Sequence, residues 1–595
     1  MKSIVKENVL NATVVNIQWE RIFLYLDVKV EWSEGADRSQ ELDFFAVNGL
    51  YQAKVYFRYE KLAEDLYRLK TNVTNNGENR CIPTGTYSIV VCQGDYKLAV
   101  CETGLDVVAN IDNYSRNFLY GGRSKVYTTT FFVEEDQETL PFRMYCLSSG
   151  RNGMNFPDNP KLHWIKDLKN KFVNKRSFLR NIYRFFAKIH YMKKGNKKTV
   201  LFMTEQSARI NSNLKAVSER MVERGMEKEF NILYSARPAA ATSQGAKSWV
   251  KLMLKLAKSD MVIIDDHAPV LDWLKLRPEI KVAQLWHAGA GFKSSGYSRW
   301  GHMGCPSPIS CHRQYAFGIA GSKHIAPFFS EVWGINDEQV LPTGMPRMDE
   351  YLDENYKAKK VEELYEKFPE AKDKKVILFA PTYRGKNQML AYYPYDLIDF
   401  ERLYELCGDE YIVFFKMHPW VSEEVPIPGK YEDKFIDVGK YPNINDLFYI
   451  TELLITDYSS NIFEYSLMRK PMLFFAFDKI QYSFSRGFHR AYEESAPGKV
   501  CYTFEEVLSA IEHKDFELEK VEKYVEEHFD YIDSNASDRV IDWIICGKIP
   551  ENIKAELAEV DARNARMNSI DFSPEALGEL ETEEADDNED DEIEN

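Results

Sequence analysis

The chain has 595 residues, 44% of them hydrophobic and 14% aromatic, enough to bury large cores across about three or four domains. No apolar run approaches the ~20 residues of a membrane span, which argues against an integral helical membrane protein. The net charge of −16 does not exclude anionic partners, because eleven Asp or Glu lie in residues 579–595, leaving −5 for the rest.

The N-terminus, MKSIVKENVLNATVV, lacks the apolar core of a signal peptide, so the chain reads as cytoplasmic or membrane-surface. Nine cysteines without a C-x-x-C pair fit neither a disulfide framework nor a zinc site and read as reduced thiols.

From Ala12 to about Cys146, short β-rich segments such as RIFLYLDVKV and TYSIVVC alternate with turn residues, predicting a small β-sandwich or barrel. Residues 161–198 then carry thirteen Lys or Arg against the single Asp167. Trp164, Leu168, Phe172, Leu179, Ile182, Phe186 and Ile189 recur there at nearly helical spacing. Such a basic amphipathic segment suits a helix lying on anionic lipid through Lys175, Arg176, Arg180, Arg184 and Lys188. It equally suits an interdomain helix with a solvated basic face. Nucleic acid is disfavoured, since no binding motif accompanies the charge.

From Thr199 the pattern becomes buried strands alternating with helices, which implies parallel sheets. The predicted strands are TVLFMT, NILYS, MVIID, VAQLWH, FGIAG and QVLPTG, then KVILFAPT, YIVFFKMHP, FIDVG, LLITD and MLFFAF. A charged helical stretch, Met348 to Lys375, separates the two sets, and Phe504 to Ile549 reads as helical and crossing both. The expected fold class is therefore α/β: two doubly wound domains facing across a cleft, preceded by an all-β domain and the basic segment. The boundaries read as 1–155, 156–198, 199–360, 361–550 and a disordered acidic tail, 551–595.

Ligands of open α/β sheets bind beyond the carboxyl ends of the strands. Those ends carry His287 with the loop Gly289, Lys293 and Arg299; Thr343, Gly344 and Arg347; Thr382 and Arg384; and Lys416 and His418. The run LLITDYSSNIFEY reads as a strand meeting a helix start, where Asp457, Ser459 and Ser460 are capping types and unpaired N–H groups would hold a diphosphate. Glu464, one turn on, would accept hydrogen bonds from a ribose. The rim is thus cationic and suits a phosphate-rich ligand. Asp265, Asp266 and His267 read as a strand end and turn cap rather than a metal site, since no second acidic cluster accompanies them. No G-x-S-x-G elbow surrounds Ser459 or Ser460.

Taken together, QLWHAGAGFKSSGYSR, AGSKHIAPFFSEVWGI, LPTGMPRMDEYL, VILFAPTYRG, FFKMHP and TDYSSNIFEYSLMRKPMLFFAFD resemble the CDP-glycerol glycerophosphotransferase family, the teichoic acid polymerases and primases of Gram-positive bacteria. WHAGAGFKSSGYSR and the β-rich N-terminal domain look most like the ribitol-phosphate branch. The resemblance implies two Rossmann-like domains of the GT-B type, the first on the acceptor side and the second binding the CDP-polyol. It implies transfer of glycerol or ribitol phosphate to a hydroxyl of a lipid-linked chain with release of CMP, no metal or other cofactor, and peripheral attachment to the cytoplasmic membrane face. A homo-oligomer is left open. By motif, His287 is the general base and His418 lies at the donor phosphates, with Asp457, Ser459 and Ser460 holding the diphosphate and Glu464 nearer the ribose; the strand-end reading adds Thr382, Arg384 and Lys416 around the donor and Arg299 as a further charge partner. A sugar-nucleotide glycosyltransferase and a non-catalytic membrane scaffold are the competing readings.

Overall fold

The computed structural model describes residues 8–39, 41–48, 53–94, 96–134, 139–148, 175–192, 195, 197–238, 244–385 and 388–570. The described part of the basic segment is thus its second half, and the acidic run 579–595 lies outside the described residues. The chain divides into two compact units. One gathers the N-terminal region, Trp300–Ile309 and the end of the chain from Ala555; the other holds 157–299 and 310–554.

In the first unit, eleven strands between Val9 and Ser148 are hydrogen-bonded together, ten along one path and Tyr96–Val100 branching off Gly85–Gln93. Pairing is antiparallel except where Glu102–Thr103 runs parallel to Val9–Glu20. Among the described residues, Ala53–Ala63 joins two sets of ladders, pairing through Ala53–Phe57 with Leu42–Asn48 and through Arg58–Ala63 with Leu66–Asn72. Leu42–Asn48 is buried at all seven positions. The reason is a long helix, Glu551–Ser569, whose Met567 packs with Ile570 on Phe45, Val47, Val90 and Cys92. Sequence composition placed a disordered tail from residue 551. Within it, however, Ile553, Val560 and Met567 are buried at seven-residue spacing, an apolar stripe that the surrounding acids mask. Trp300 also belongs here, stacked on Phe118 with ring centroids 4.9 Å apart.

The second unit contains two parallel six-stranded sheets. The first comprises β1 (Lys198–Thr204), β2 (Phe230–Ala236), β3 (Met261–Ile264), β4 (Lys281–Gln284), β5 (Tyr315–Ile319) and β6 (Val340–Leu341), in the order β2-β1-β3-β4-β5-β6. The second comprises β7 (Lys375–Phe379), β8 (Tyr411–Phe415), β9 (Phe435–Asp437), β10 (Thr451–Thr456), β11 (Met472–Phe475) and β12 (Lys499–Cys501). Its order, β9-β8-β7-β10-β11-β12, is the 3-2-1-4-5-6 arrangement of a dinucleotide-binding sheet. Its topological switch point falls between β7 and β10, directly beneath Thr382, Arg384 and Asp457. Strand β12 escaped prediction because three residues carry too little periodicity. The predicted domain boundary at 360/361 falls inside an uninterrupted helix, Glu354–Lys367.

Helix α1 (Lys175–Met192) packs on α2 (Ala246–Lys258) through Leu179, Tyr183 and Ala187. The Tyr183 hydroxyl accepts the Arg277 N–H at 3.0 Å. The buried stripe is thus Leu179, Tyr183 and Ala187 rather than the predicted row through Phe186, which is exposed. After the second sheet, the chain returns to the first: the Asp530 N–H donates to the Gly321 carbonyl, and Arg539 donates to the Thr343 carbonyl.

Candidate active site

His287 stands just past β4 on a constrained backbone. Trp286 before it has φ +49°, a left-handed conformation held by Gln284 Oε1, which accepts the Trp286 N–H at 2.9 Å. Asn213 donates to the carbonyls of both Leu285 and Trp286. Non-glycine residues in this region cost about 1–3 kcal/mol, so the surrounding structure over-determines this turn. The half-exposed imidazole turns Nδ1 toward the Asp265 carbonyl at 3.3 Å and the Asp266 carboxylate at 3.4 Å. With Nδ1–H donating there, Nε2 is left as the basic nitrogen.

The loop after His287 is where the two sheets' domains meet. A Cβ on Gly289 would lie 2.5 Å from the Phe463 ring, so only glycine permits this approach. Further on, Ser294 N–H donates to the Gly487 carbonyl at 3.2 Å and His489 N–H to the Phe292 carbonyl at 3.1 Å. Arg490 donates to the Ala290 carbonyl at 2.6 Å. This docking carries Lys293 into a recess of the second domain lined by Thr382, Tyr383, Arg384, Asp478, Tyr482 and Arg486. Burial pushes the Lys293 ammonium down to about 8; Asp457 opposes the shift, while Arg486 and Arg384 add to it. Arg299 reaches the same domain, donating to the Ser485 carbonyl at 3.4 Å.

Beneath the recess, the residues expected to hold the diphosphate make contacts within the protein. Asp457 is fully buried and accepts from Thr382 N–H at 2.8 Å and the Thr382 hydroxyl at 3.1 Å. Arg384 is held between Asp457, at 2.9 Å, and Asp478, at 2.6 and 2.9 Å. A buried guanidinium with two carboxylate partners keeps its charge but has it neutralised locally. Lys416 is likewise buried and donates to the Gly439 carbonyl at 2.6 Å. The helix after Ser460 spans only Ile462–Ser466, too short for the strong N-terminal dipole inferred from sequence, and Ser459 Oγ accepts the Asn461 N–H at 3.2 Å.

His418 sits at the edge of the recess. Its Nδ1 accepts the Trp420 N–H at 3.1 Å, which leaves the proton of the neutral ring on Nε2. Burial, with Lys293 and Lys416 nearby, pushes this imidazole below its ordinary value. The rings of Tyr383 and Trp420 flank it at 4.7 and 5.5 Å.

A second cavity, of about 430 Å³, is lined by Ser212, Arg347, Glu350, Asn445, Ser460 and Glu464 among others. Glu464 is buried and paired with Arg347; burial pushes its carboxyl up and Arg347 offsets this. Arg347 also donates to the His287 carbonyl at 2.7 Å, so one guanidinium links the candidate base to the second domain. With Glu350, Asp446 and Glu464 on its walls, this cavity favours hydroxyl and amino groups; the cationic recess favours phosphate. The strand-end rule singles out His287, His418, Lys293 and Arg347, of which the fold places Lys293 in the recess and Arg347 in the cavity. It missed Asp478, although MLFFAFD ends in an acid just as LLITD does, and Arg486, which lies on no strand end.

The family model described as CDP-Glycerol:Poly(glycerophosphate) glycerophosphotransferase matches residues 185–546. The chain belongs to this family. Among glycerophosphotransferase relatives, it is 34% identical over 442 residues to the teichoic acid ribitol-phosphate polymerase TarL of Staphylococcus aureus, covering 72% of this chain and 77% of that one. It is 35% identical over 430 residues to TarK of the same organism, covering 71% and 83%. It is 33% identical over 472 residues to the teichoic acid poly(ribitol-phosphate) polymerase of Bacillus spizizenii, covering 76% and 75%. The family match takes in both parallel sheets and the last turns of α1; the N-terminal sheet lies outside it.

Proposed function

We propose that the chain transfers a polyol phosphate from a CDP-polyol to a hydroxyl of a lipid-linked teichoic acid chain and releases CMP, ribitol phosphate being the unit moved. The observation that carries this is the junction in the cleft, where the His287 loop delivers Lys293 to the cationic recess while Arg347 joins His287 to the nucleoside-sized cavity. Ribitol is favoured because the three relatives named above are ribitol-phosphate polymerases.

In this mechanism, His287 Nε2 takes the proton of the acceptor hydroxyl, and the resulting imidazolium is stabilised by Asp266. The acceptor oxygen bonds to the β-phosphorus as its bond to the bridging oxygen breaks, and CMP carries away the charge. Lys293 and Arg486 stabilise that charge, and His418 donates Nε2–H to a phosphate oxygen. One such donor is typically worth about 3 kcal/mol of barrier, and a positioned base about 10²–10⁴-fold. Asp457 and Asp478 are both committed to Arg384, so the recess relies on side-chain cations rather than on a catalytic metal.

The reading extends to peripheral attachment at the cytoplasmic membrane face. Opposite its buried stripe, α1 exposes Phe178 by 58% and Phe185 by 61%, interleaved with Lys175, Arg176, Arg184 and Lys188. Exposed aromatics among cations suit an anionic bilayer better than bulk water. Arg180 is only half-exposed and contributes less.

The test is transfer from CDP-ribitol, CDP-glycerol and UDP-sugars to a synthetic lipid-linked acceptor, without added Mg²⁺, with nucleotide and product length read by mass. CMP release from CDP-ribitol with chain growth is expected. Nucleotide release only from a UDP-sugar would make the protein a glycosyltransferase, and no turnover with any donor would favour a scaffold.

A further inference from the structure

Behind His287, on the far side of the Asp265–Asp266 turn, the fold assembles a cluster that the transfer chemistry does not use. His267 follows β3, Asp272 lies on the short helix Pro269–Trp273, and Cys311 opens the 3-10 turn Cys311–Gln314 that feeds β5. One ligand-type atom from each lies within 4.8 Å of the other two. The His267 Nε2 to Asp272 contact is 3.0 Å. We propose that His267 Nε2, an Asp272 carboxylate oxygen and the Cys311 thiolate bind a zinc ion, with water in the fourth position.

The donor set and spacing argue for it. Zinc bonds sulfur at about 2.3 Å and imidazole or carboxylate at about 2.0–2.2 Å, so tetrahedral ligands lie roughly 3.3–3.8 Å apart. The His267–Asp272 contact is already that short, and Cys311 Sγ lies within 4.8 Å of both. One thiolate with one imidazole selects a borderline-soft ion such as zinc over magnesium or calcium. A histidine–carboxylate pair alone would explain two of the three atoms but not a thiol within reach of both.

The surrounding contacts match the support that metal ligands need. Cys311 N–H donates to Asp272 Oδ1 at 2.8 Å, and the Tyr315 hydroxyl touches Cys311 Sγ at 3.3 Å and His312 Nδ1 at 3.0 Å. Gln284 in turn donates to that hydroxyl at 3.1 Å. Such contacts orient ligands and typically change metal affinity by about 10–100-fold. His267 and Asp272 remain partly exposed, which gives solvent access to the fourth position. The ion would pin the turn carrying Asp266, the partner of His287, to the segment entering β5, a structural role separate from the reaction and independent of which donor the enzyme takes.

The experiment is elemental analysis of full-length protein purified under reducing conditions without chelator, followed by cobalt titration of metal-stripped protein. Stoichiometric zinc is expected, together with a thiolate-to-cobalt charge-transfer absorption. Cys311→Ser should abolish that absorption. His267→Gln, which alters a partly exposed ring and so spares the core, should leave little bound zinc. Tyr315→Phe should weaken zinc by about 10–100-fold. Substoichiometric zinc with no cobalt–thiolate band in the wild type, or an unchanged band in Cys311→Ser, overturns the site.

Discussion

Lys293 offers the sharpest test of how the cleft holds its donor. Burial pushes its ammonium from 10.5 down to about 8, with Asp457 alone among its charged neighbours opposing. In the free enzyme the side chain is therefore half charged near pH 8 and about 90% neutral near pH 9. A diphosphate beside it favours the ammonium, so donor binding above pH 8 takes up a proton. Donor kcat/KM should fall about tenfold per pH unit beyond 8. Lys293→Arg keeps its charge throughout and should lose that break while retaining activity at neutral pH; Lys293→Met should lose about 10²–10³-fold at neutral pH, the gap to wild type closing by about tenfold per pH unit above 8. CMP release across about pH 7–9.5, with calorimetry in two buffers of different ionisation enthalpy, reads both effects. Identical profiles for wild type and Lys293→Arg, or no proton uptake, would refute the placement of the donor phosphates against Lys293. The sign for stability runs the other way. The unfolded chain holds this proton more tightly, so the ligand-free protein gains stability as pH rises from about 8 to 10.5.

Removing the base or the phosphate donor, His287→Ala or His418→Ala, should lower turnover by about 10²–10⁴-fold with an unchanged melting temperature; near wild-type CMP release from either variant removes that residue from the mechanism. Asp266→Asn should reduce kcat more than donor KM, since it acts on the imidazolium formed during reaction, and steady-state kinetics separates the two. Gly289→Ala forces a methyl into the Phe463 ring and should cost about 1–3 kcal/mol by denaturant titration, with Phe463→Leu restoring part; an unaffected single variant would mean the loop docks less closely. Charge reversal of Arg176, Arg184 and Lys188 should weaken sedimentation with anionic vesicles by about 1 kcal/mol per cation, and binding indifferent to salt would contradict docking through α1.

Much of the second unit was legible because its strands are short, apolar on both faces and bounded by turn residues, the pattern of a parallel sheet. The strand-end rule singles out His287, His418, Lys293 and Arg347 without any contact information. What it cannot see is partners: Asp457, Arg384 and Lys416 are paired in three dimensions with Thr382, Asp478 and Gly439. Arg486 caps the end of the seven-residue helix Lys479–Ser485, and Asn443–Asp446 opens the five-residue helix Ile444–Phe448, both too short for a legible periodicity. His267 and Cys311 are neighbours only because β3 and β5 flank β4, a relation that spacing along the chain conceals.

The helix at 551–569 has a consequence for how the protein is made. Lys54 donates to the carbonyls of Met567 and Ile570 at 2.7 and 3.0 Å, and Arg566 pairs with Asp43, so strands Leu42–Asn48 and Ala53–Ala63 are closed by residues more than five hundred positions later. Until translation reaches Ile570, Phe45, Val47 and Val90 lack their cover, whereas the parallel sheets between Lys198 and Cys501 have all their strands. Completing this face thus waits through some five hundred residues of synthesis, and apolar surface left uncovered on a nascent chain is the kind that invites aggregation.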